Sequence, residues 1–68
     1  MEINRVKYNL NQPVVHNGAE YIFIGCTLRL CDDGFYYEAI LKDTRAQNSE
    51  LICLLRDIHE RKNRKEKS

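Results

Sequence analysis

The 68-residue sequence predicts a small all-β domain, and three features of the chain lead to this prediction. Two runs rich in β-branched and aromatic residues, 21–30 and 35–42, are joined by Cys-Asp-Asp-Gly at residues 31–34, a pattern typical of a β-hairpin. Asn17-Gly18 precedes the first run, and Asn-Gly is a preferred pair for a two-residue hairpin turn. The sequence therefore predicts two hairpins that share one long strand.

The long apolar run changes its pattern at Gly25. Its even-numbered positions are apolar throughout, whereas its odd-numbered positions are apolar before Gly25 and polar after it. A glycine inside a strand commonly marks a bulge or a sharp bend. We therefore expect one bent strand over residues 21–30, with Leu28 in the core, that contributes to both layers of a small closed sheet.

The return run alternates more regularly, with apolar side chains at positions 35, 37, 39 and 41. Because register is set by the faces that must be buried, the apolar sets of the two strands have to share a face. A two-residue turn at Asp33-Gly34, with positive φ at both residues, satisfies this condition, and a four-residue loop does so too. The two-residue turn places Arg29 opposite Glu38 on the solvent-facing side.

The segments before the hairpins are less regular. Val6, Tyr8 and Leu10 alternate with polar neighbours, which allows a short edge strand, and residues 1–5 are expected to fray. Pro13–His16 is predicted as a short strand, because proline is tolerated at the first position of a strand.

The segment after the hairpins is the most ambiguous. Residues 43–49 are polar and turn-forming and are predicted as a loop. Residues 50–55 suit a buried strand, but the apolar positions 51, 54, 55 and 58 also follow helical spacing. We favour a strand over 50–54 and a helical turn at 55–57, because two hairpins need more sheet to cover their apolar face. The alternative is one C-terminal helix packed on the sheet.

Charge divides the chain into two parts. Residues 1–58 hold six basic and eight acidic side chains, whereas residues 59–68 hold five basic and two acidic ones and no apolar residue. A segment without apolar residues cannot form a core. The sequence therefore predicts a slightly acidic domain over residues 1–58 and a basic, solvent-exposed tail over residues 59–68.

The side chains that commonly carry chemistry do not form a recognisable motif. Cys26, Cys31 and Cys53, with His16 and His59, lack the paired spacings of a zinc site, and the odd number of cysteines does not suggest a disulfide framework. We interpret them as reduced thiols and surface histidines.

Catalytic and phosphate-binding motifs are also absent from the sequence. We therefore expect no enzymatic activity, no cofactor, no metal and no small-molecule substrate. No apolar run approaches the about 20 residues of a membrane span, and the N-terminal residues lack a signal-peptide pattern. We expect a cytoplasmic protein that does not contact membranes.

The order of these segments resembles a known architecture. A short strand, an Asn-Gly turn, a long bent strand, a third strand, a polar loop, a fourth strand and a helical turn resemble a small SH3-like barrel of about five short strands. The sequence is also similar to short uncharacterised bacterial proteins of phages and conjugative elements, over roughly residues 13–58. The segments that carry this resemblance are 20–29, 35–39, 48–49 and 55–58. It implies a fold and a genetic setting and no activity.

Two binding hypotheses follow from this architecture. The first is a protein-interaction module whose partner is another protein or a second copy, with Tyr21, Tyr36 and Ile40 on the face opposite the even-numbered apolar row. Phe23 has the same parity, but its size favours burial. The alternative is nucleic-acid binding, in which the tail neutralises phosphates and barrel aromatics stack on bases. The tail residues in question are Arg61, Lys62, Arg64, Lys65 and Lys67.

Overall fold

The structure, a computed structural model, describes residues 1–61 and consists mainly of one antiparallel sheet. The sheet has five strands in the order β4-β3-β2-β1-β5. It is open, so the all-β prediction is confirmed and closure into a barrel is not. The strands are β1 (Pro13–His16), β2 (Ala19–Cys31), β3 (Gly34–Asp43), β4 (Ser49–Leu54) and β5 (His59–Glu60).

Short helical segments connect or precede these strands. One α-helical turn, α1 (Val6–Asn9), follows a 3₁₀ turn at Ile3–Arg5. Two further 3₁₀ turns, Thr44–Ala46 and Leu55–Asp57, precede β4 and β5.

The β1–β2 hairpin has the predicted turn and register. Asn17 and Gly18 have φ values of 54° and 77°, as a two-residue turn that matches the strand twist requires. Val14 pairs with Tyr21 and Val15 with Glu20. The Asn-Gly signal was therefore sufficient to predict this hairpin.

The β2–β3 hairpin has a different turn from the predicted one. Cys31 pairs with Gly34, so the two loop residues are Asp32 and Asp33, and only Gly34, at 135°, has positive φ in this turn. Arg29 consequently lies opposite Tyr36 in the register, although its side chain still forms an ion pair with Glu38. The register that the Asp33-Gly34 turn predicts was wrong by two residues. Leu30 lies opposite Phe35, which is the register that the alternative, a four-residue loop, gives, and the apolar sets of the two strands share a face.

A bulge in β2 changes which side chains face the core. Phe23 pairs with Leu41 and Gly25 with Ile40, which leaves Ile24 as the extra residue. The predicted irregularity at Gly25 is confirmed. Because an extra residue reverses the alternation, odd-numbered residues before the bulge share a face with even-numbered residues after it. We call this side of the sheet the core face and the opposite side the outer face.

The core lies between the core face and two segments that cover it. Six residues are buried there: Val14, Phe23, Ala39, Leu41, Leu55 and Ile58. Met1 and Val6 from the N-terminal segment pack against this cluster. The N-terminal segment and the Leu55–Asp57 turn thus take the place of a second layer of sheet.

The N-terminal segment is helical and bonded, so the prediction of a frayed end and a short edge strand was wrong. The Met1 amino group donates hydrogen bonds to the carbonyl oxygens of Leu55, at 3.0 Å, and Ile58, at 2.8 Å. Val6, Tyr8 and Leu10 fit alternation as a pattern, but only Val6 packs against the core, while Tyr8 and Leu10 are exposed.

The segment after β3 follows the favoured prediction. β4 is a strand that pairs along β3 from Ser49 to Leu54, and a 3₁₀ turn follows it, so the alternative of one C-terminal helix is wrong. The sheet continues beyond the predicted end of the domain at residue 58, because His59 and Glu60 pair with β1.

β2 and β3 extend beyond their neighbours. The last β1 pair joins Pro13 to Ile22, and the last β4 pair joins Leu54 to Glu38. Residues 28–37, which we call the arm, are therefore a two-stranded ribbon.

A projecting arm as the candidate functional site

The arm carries exposed apolar side chains on the core face. Leu28, Leu30 and Phe35 are 51%, 81% and 59% exposed, and Leu30 pairs directly with Phe35. They continue the row that is buried in the body, but nothing within residues 1–61 covers them. The prediction that Leu28 lies in the core was therefore wrong, although its face was assigned correctly.

The apolar surface of the arm is continuous with the core. The rings of Phe35 and Tyr37 contact edge to face, with centroids 5.6 Å apart, and Tyr37 packs against the buried cluster. Tyr37, which packs on the body, therefore also supports the ring of Phe35 on the arm.

A groove lies beside the base of the arm. It has a volume of about 820 Å³ and runs between the N-terminal segment, β3 and the end of β4. Its lining comprises Met1, Ile3, Tyr37 and Leu55 among other residues. The groove borders the part of β3 that β4 leaves unpaired, so an extended segment could contact both the strand edge and an apolar wall.

The outer face carries two of the three residues predicted to bind protein. Tyr36 and Ile40 lie on this face of β3, and Ile52 pairs with Ile40. Glu38 lies between Tyr36 and Ile40 and accepts a 2.9 Å hydrogen bond from Arg29 Nε. This ion pair separates Tyr36 from Ile40 and Ile52.

Tyr21, the third predicted residue, lies on the core face because it precedes the bulge. It is half-buried, packs against the core and has the Arg45 guanidinium 5.3 Å from its ring centroid. Arg45 also donates a 2.9 Å hydrogen bond to the Glu20 carbonyl oxygen. Tyr21 thus contacts the β3–β4 loop through Arg45. It lies on the opposite face of the sheet from Tyr36 and Ile40.

The predicted nucleic-acid contacts fall mostly outside the described residues. Arg61 is exposed, and its Nη1 lies 3.1 Å from a Glu20 carboxylate oxygen. Lys62, Arg64, Lys65 and Lys67 lie beyond residue 61. The structure thus pairs the first of the five basic residues with an acidic residue of the body.

The cysteines remain separate in the structure. Cys26, Cys31 and Cys53 are all free thiols, and residues 1–61 contain no cluster of three potential metal ligands. Burial raises the pKa of the Cys26 and Cys53 thiols, with the Asp57 charge as a smaller contribution at Cys53. A raised pKa lowers the thiolate fraction and hence the nucleophilicity of both groups.

Leu30 and Phe35 are the binding candidates that the sequence reasoning missed. The available signal was that apolar alternation continues to the residues that flank the turn, where polar residues are usual.

None of the helices in the described part of the chain is long and apolar enough to cross a membrane.

Comparison of the chain with models of protein families, with curated proteins and with solved structures found no match.

Proposed function

We propose that this chain is a non-enzymatic protein-binding module whose partner contacts the core face of the arm. One observation carries the proposal: Leu28, Leu30 and Phe35 are exposed side by side on a ribbon that projects from the body. Exposed apolar patches on small proteins commonly mark interaction sites. The proposed setting, on the basis of the sequence resemblance, is an accessory protein of a phage or mobile element.

The energetics of the arm favour a partner. An isolated two-stranded ribbon is marginally stable in water, and it gains stability when an apolar face is covered. Burying the exposed part of each of the three side chains contributes roughly 1–2 kcal/mol. A partner that covers them therefore also stabilises the ribbon that presents them.

The fold is, in our proposal, an SH3-like barrel that has been left open. Three features support it: the strand order β4-β3-β2-β1-β5, the bulged β2 that spans body and arm, and the 3₁₀ turn before β5. The long arm and the covering N-terminal segment are the departures from such a barrel.

A peptide-display library selected on the wild-type protein tests the proposed function. Phe35→Ser removes an arm residue, and Ile52→Ser is a matched control because Ile52 is 57% exposed but lies on the outer face. We expect selected peptides to lose at least about tenfold in affinity, or about 1.4 kcal/mol, with Phe35→Ser and little with Ile52→Ser.

The opposite pattern would refute the arm as the binding site. If Ile52→Ser weakens the selected peptides as much as Phe35→Ser does, binding is not specific to the arm. If the library yields no binder, the proposal fails as well. Both variants change exposed side chains, so equal thermal unfolding temperatures serve as the check on folding.

A further inference from the structure

The arm has an unpaired backbone edge in addition to its apolar face. β1 pairs with β2 only as far as Ile22. The last bonds on that side are both at Phe23, whose N–H donates to the Gln12 carbonyl oxygen at 3.0 Å and whose carbonyl oxygen accepts from the Asn11 N–H at 2.7 Å. Residues 25–31 of β2 therefore have no backbone hydrogen-bond partner on that side within residues 1–61. The unpaired edge of β3, residues 34–37, is shorter. Proteins generally protect such edges or use them for pairing.

The outward-pointing backbone groups of this edge can be assigned from the turn. Cys31 and Gly34 are the register partners that close the two-residue loop, and residues in that position form a hydrogen-bonded pair. Along an antiparallel strand, backbone groups point alternately toward and away from the neighbouring strand. The N–H and C=O groups of Leu30 and Leu28 therefore point to the free edge, and so do those of Cys26.

The free edge is self-complementary about Leu28. When two copies run antiparallel with Leu28 opposite Leu28, Cys26 lies opposite Leu30 and Thr27 lies opposite Arg29. Apolar side chains then meet apolar ones on the core face, and no charge lies opposite a like charge. The three outward-pointing pairs exchange about six backbone hydrogen bonds.

We propose that two copies of this chain form a symmetric dimer in which the free edges of β2 pair antiparallel, with Leu28 on the two-fold axis. The result is a four-stranded sheet of two arms that presents the apolar face twice. This inference rests on the proposed function, because the apolar face and the free edge belong to the same arm. The dimer contact itself is made by the backbone edge of β2 and not by the apolar face.

Other registers of the same pairing are less favourable. Centring the pair on Arg29 places two guanidinium groups directly opposite each other, and like charges in that position are destabilising. Centring it on Cys26 brings Leu28 opposite Ile24, where the bulge interrupts the regular backbone. The Leu28-centred register uses the whole regular segment, residues 25–31.

Sedimentation equilibrium of the full chain tests the dimer. The wild type should sediment at twice the 8.1 kDa monomer mass. Leu28→Arg places two charges on the axis and should weaken association at least about tenfold, or about 1.4 kcal/mol. Phe35→Arg changes an equally accessible residue one strand away and should leave the dimer intact.

Two outcomes of this experiment overturn the dimer. A wild-type chain that stays monomeric at millimolar concentration refutes the pairing. A dimer that Phe35→Arg disrupts as strongly as Leu28→Arg is held by the apolar faces and not by the edges. Failure of the dimer and failure of the proposed function stay distinguishable, because peptide binding is measured separately with Phe35→Ser.

Disulfide cross-linking tests the register. Cα atoms of a hydrogen-bonded antiparallel pair lie about 5.5 Å apart, within the range of a disulfide. With Cys31→Ser to remove an exposed thiol, Leu28→Cys should cross-link efficiently on oxidation. Arg29→Cys should not, because its two copies are diagonal neighbours about 7–8 Å apart. Equal cross-linking of both variants, or a preference for Arg29→Cys, refutes the register.

Discussion

Phe23 and Leu28 lie on the same strand and on the same face of the sheet, but their environments are opposite. Phe23 is fully buried between the sheet and the N-terminal segment with the Leu55–Asp57 turn. Leu28 lies beyond these segments and is 51% exposed. Phe23→Ala should therefore destabilise the protein by about 3–5 kcal/mol, and Leu28→Ala by less than about 1 kcal/mol. Urea denaturation of both variants measures the two free energies of unfolding.

The contrast between these two residues is a stringent test, because a domain of this size has a small margin of stability. We expect Phe23→Ala to be largely unfolded at room temperature, while Leu28→Ala gives a sigmoidal transition close to the wild-type one. Comparable losses in the two variants would mean that the arm is covered by the body, contrary to the structure.

Gly25 lies at the bulge in β2, and Gly34 lies at the start of β3. Their backbone conformations differ, so the two positions should tolerate alanine differently. Gly34 has φ of 135°, a conformation that alanine adopts only with strain. Gly25 has no positive φ, and a Cβ atom there would lie 3.6 Å from Ile40 Cδ1, an ordinary contact. Gly34→Ala should cost about 1 kcal/mol or more, whereas Gly25→Ala should be neutral or stabilise by about 0.4–1 kcal/mol.

Thermal unfolding of the two alanine variants checks this prediction. A lower midpoint for Gly34→Ala with an equal or higher midpoint for Gly25→Ala is the expected result. A large loss at Gly25 would show that the bulge requires glycine itself, and the Ile24 bulge geometry would then need revision.

The β1–β2 hairpin could be predicted because local turn chemistry and alternation determine it, whereas the pairing of β5 with β1 was missed because residues 59–60 carry no strand pattern. The face of Tyr21 could not be predicted, since residues 21–24 are apolar at both parities and carry no information on the face. One extra residue at Ile24 then reversed the alternation. The exposure of Leu28 depended on where β1 and β4 end, which is a property of neighbouring strands and not of β2 itself.

The candidate site was predictable only in part for the same reason. Tyr36 and Ile40 were correctly assigned to one face because β3 carries no extra residue and alternates regularly. The role of the N-terminal segment was not predictable, since its cover of the core depends on hydrogen bonds from Met1 to residues 54 or more positions away. Such long-range contacts leave no periodic signal in a short segment.

The two ends of the described chain hold each other through an ion pair. Arg5 Nε lies 2.7 Å from a Glu60 carboxylate oxygen, which joins the N-terminal segment to β5. The hydrogen bond from Arg5, followed by its charge, lowers the pKa of Glu60 below its ordinary value of 4.5. Because both side chains remain in contact with solvent, at 48% and 37% exposure, the pair should contribute little to stability.

The sign of the resulting pH dependence follows from the lowered pKa. A carboxyl group with a lower pKa in the folded chain stabilises the fold above pH 4.5, and this contribution is lost as the pH falls through the folded-state pKa. Glu60→Gln should therefore lower the unfolding free energy at pH 7 and should unfold at the same midpoint as the wild type once Glu60 is protonated in both states. Adding Arg5→Gln to Glu60→Gln should cause little further loss at pH 7, since the two residues act as a pair. A stability difference that persists unchanged in acid, or two losses that simply add, would show that Arg5 and Glu60 act independently and that the ends of the sheet are held by the core alone.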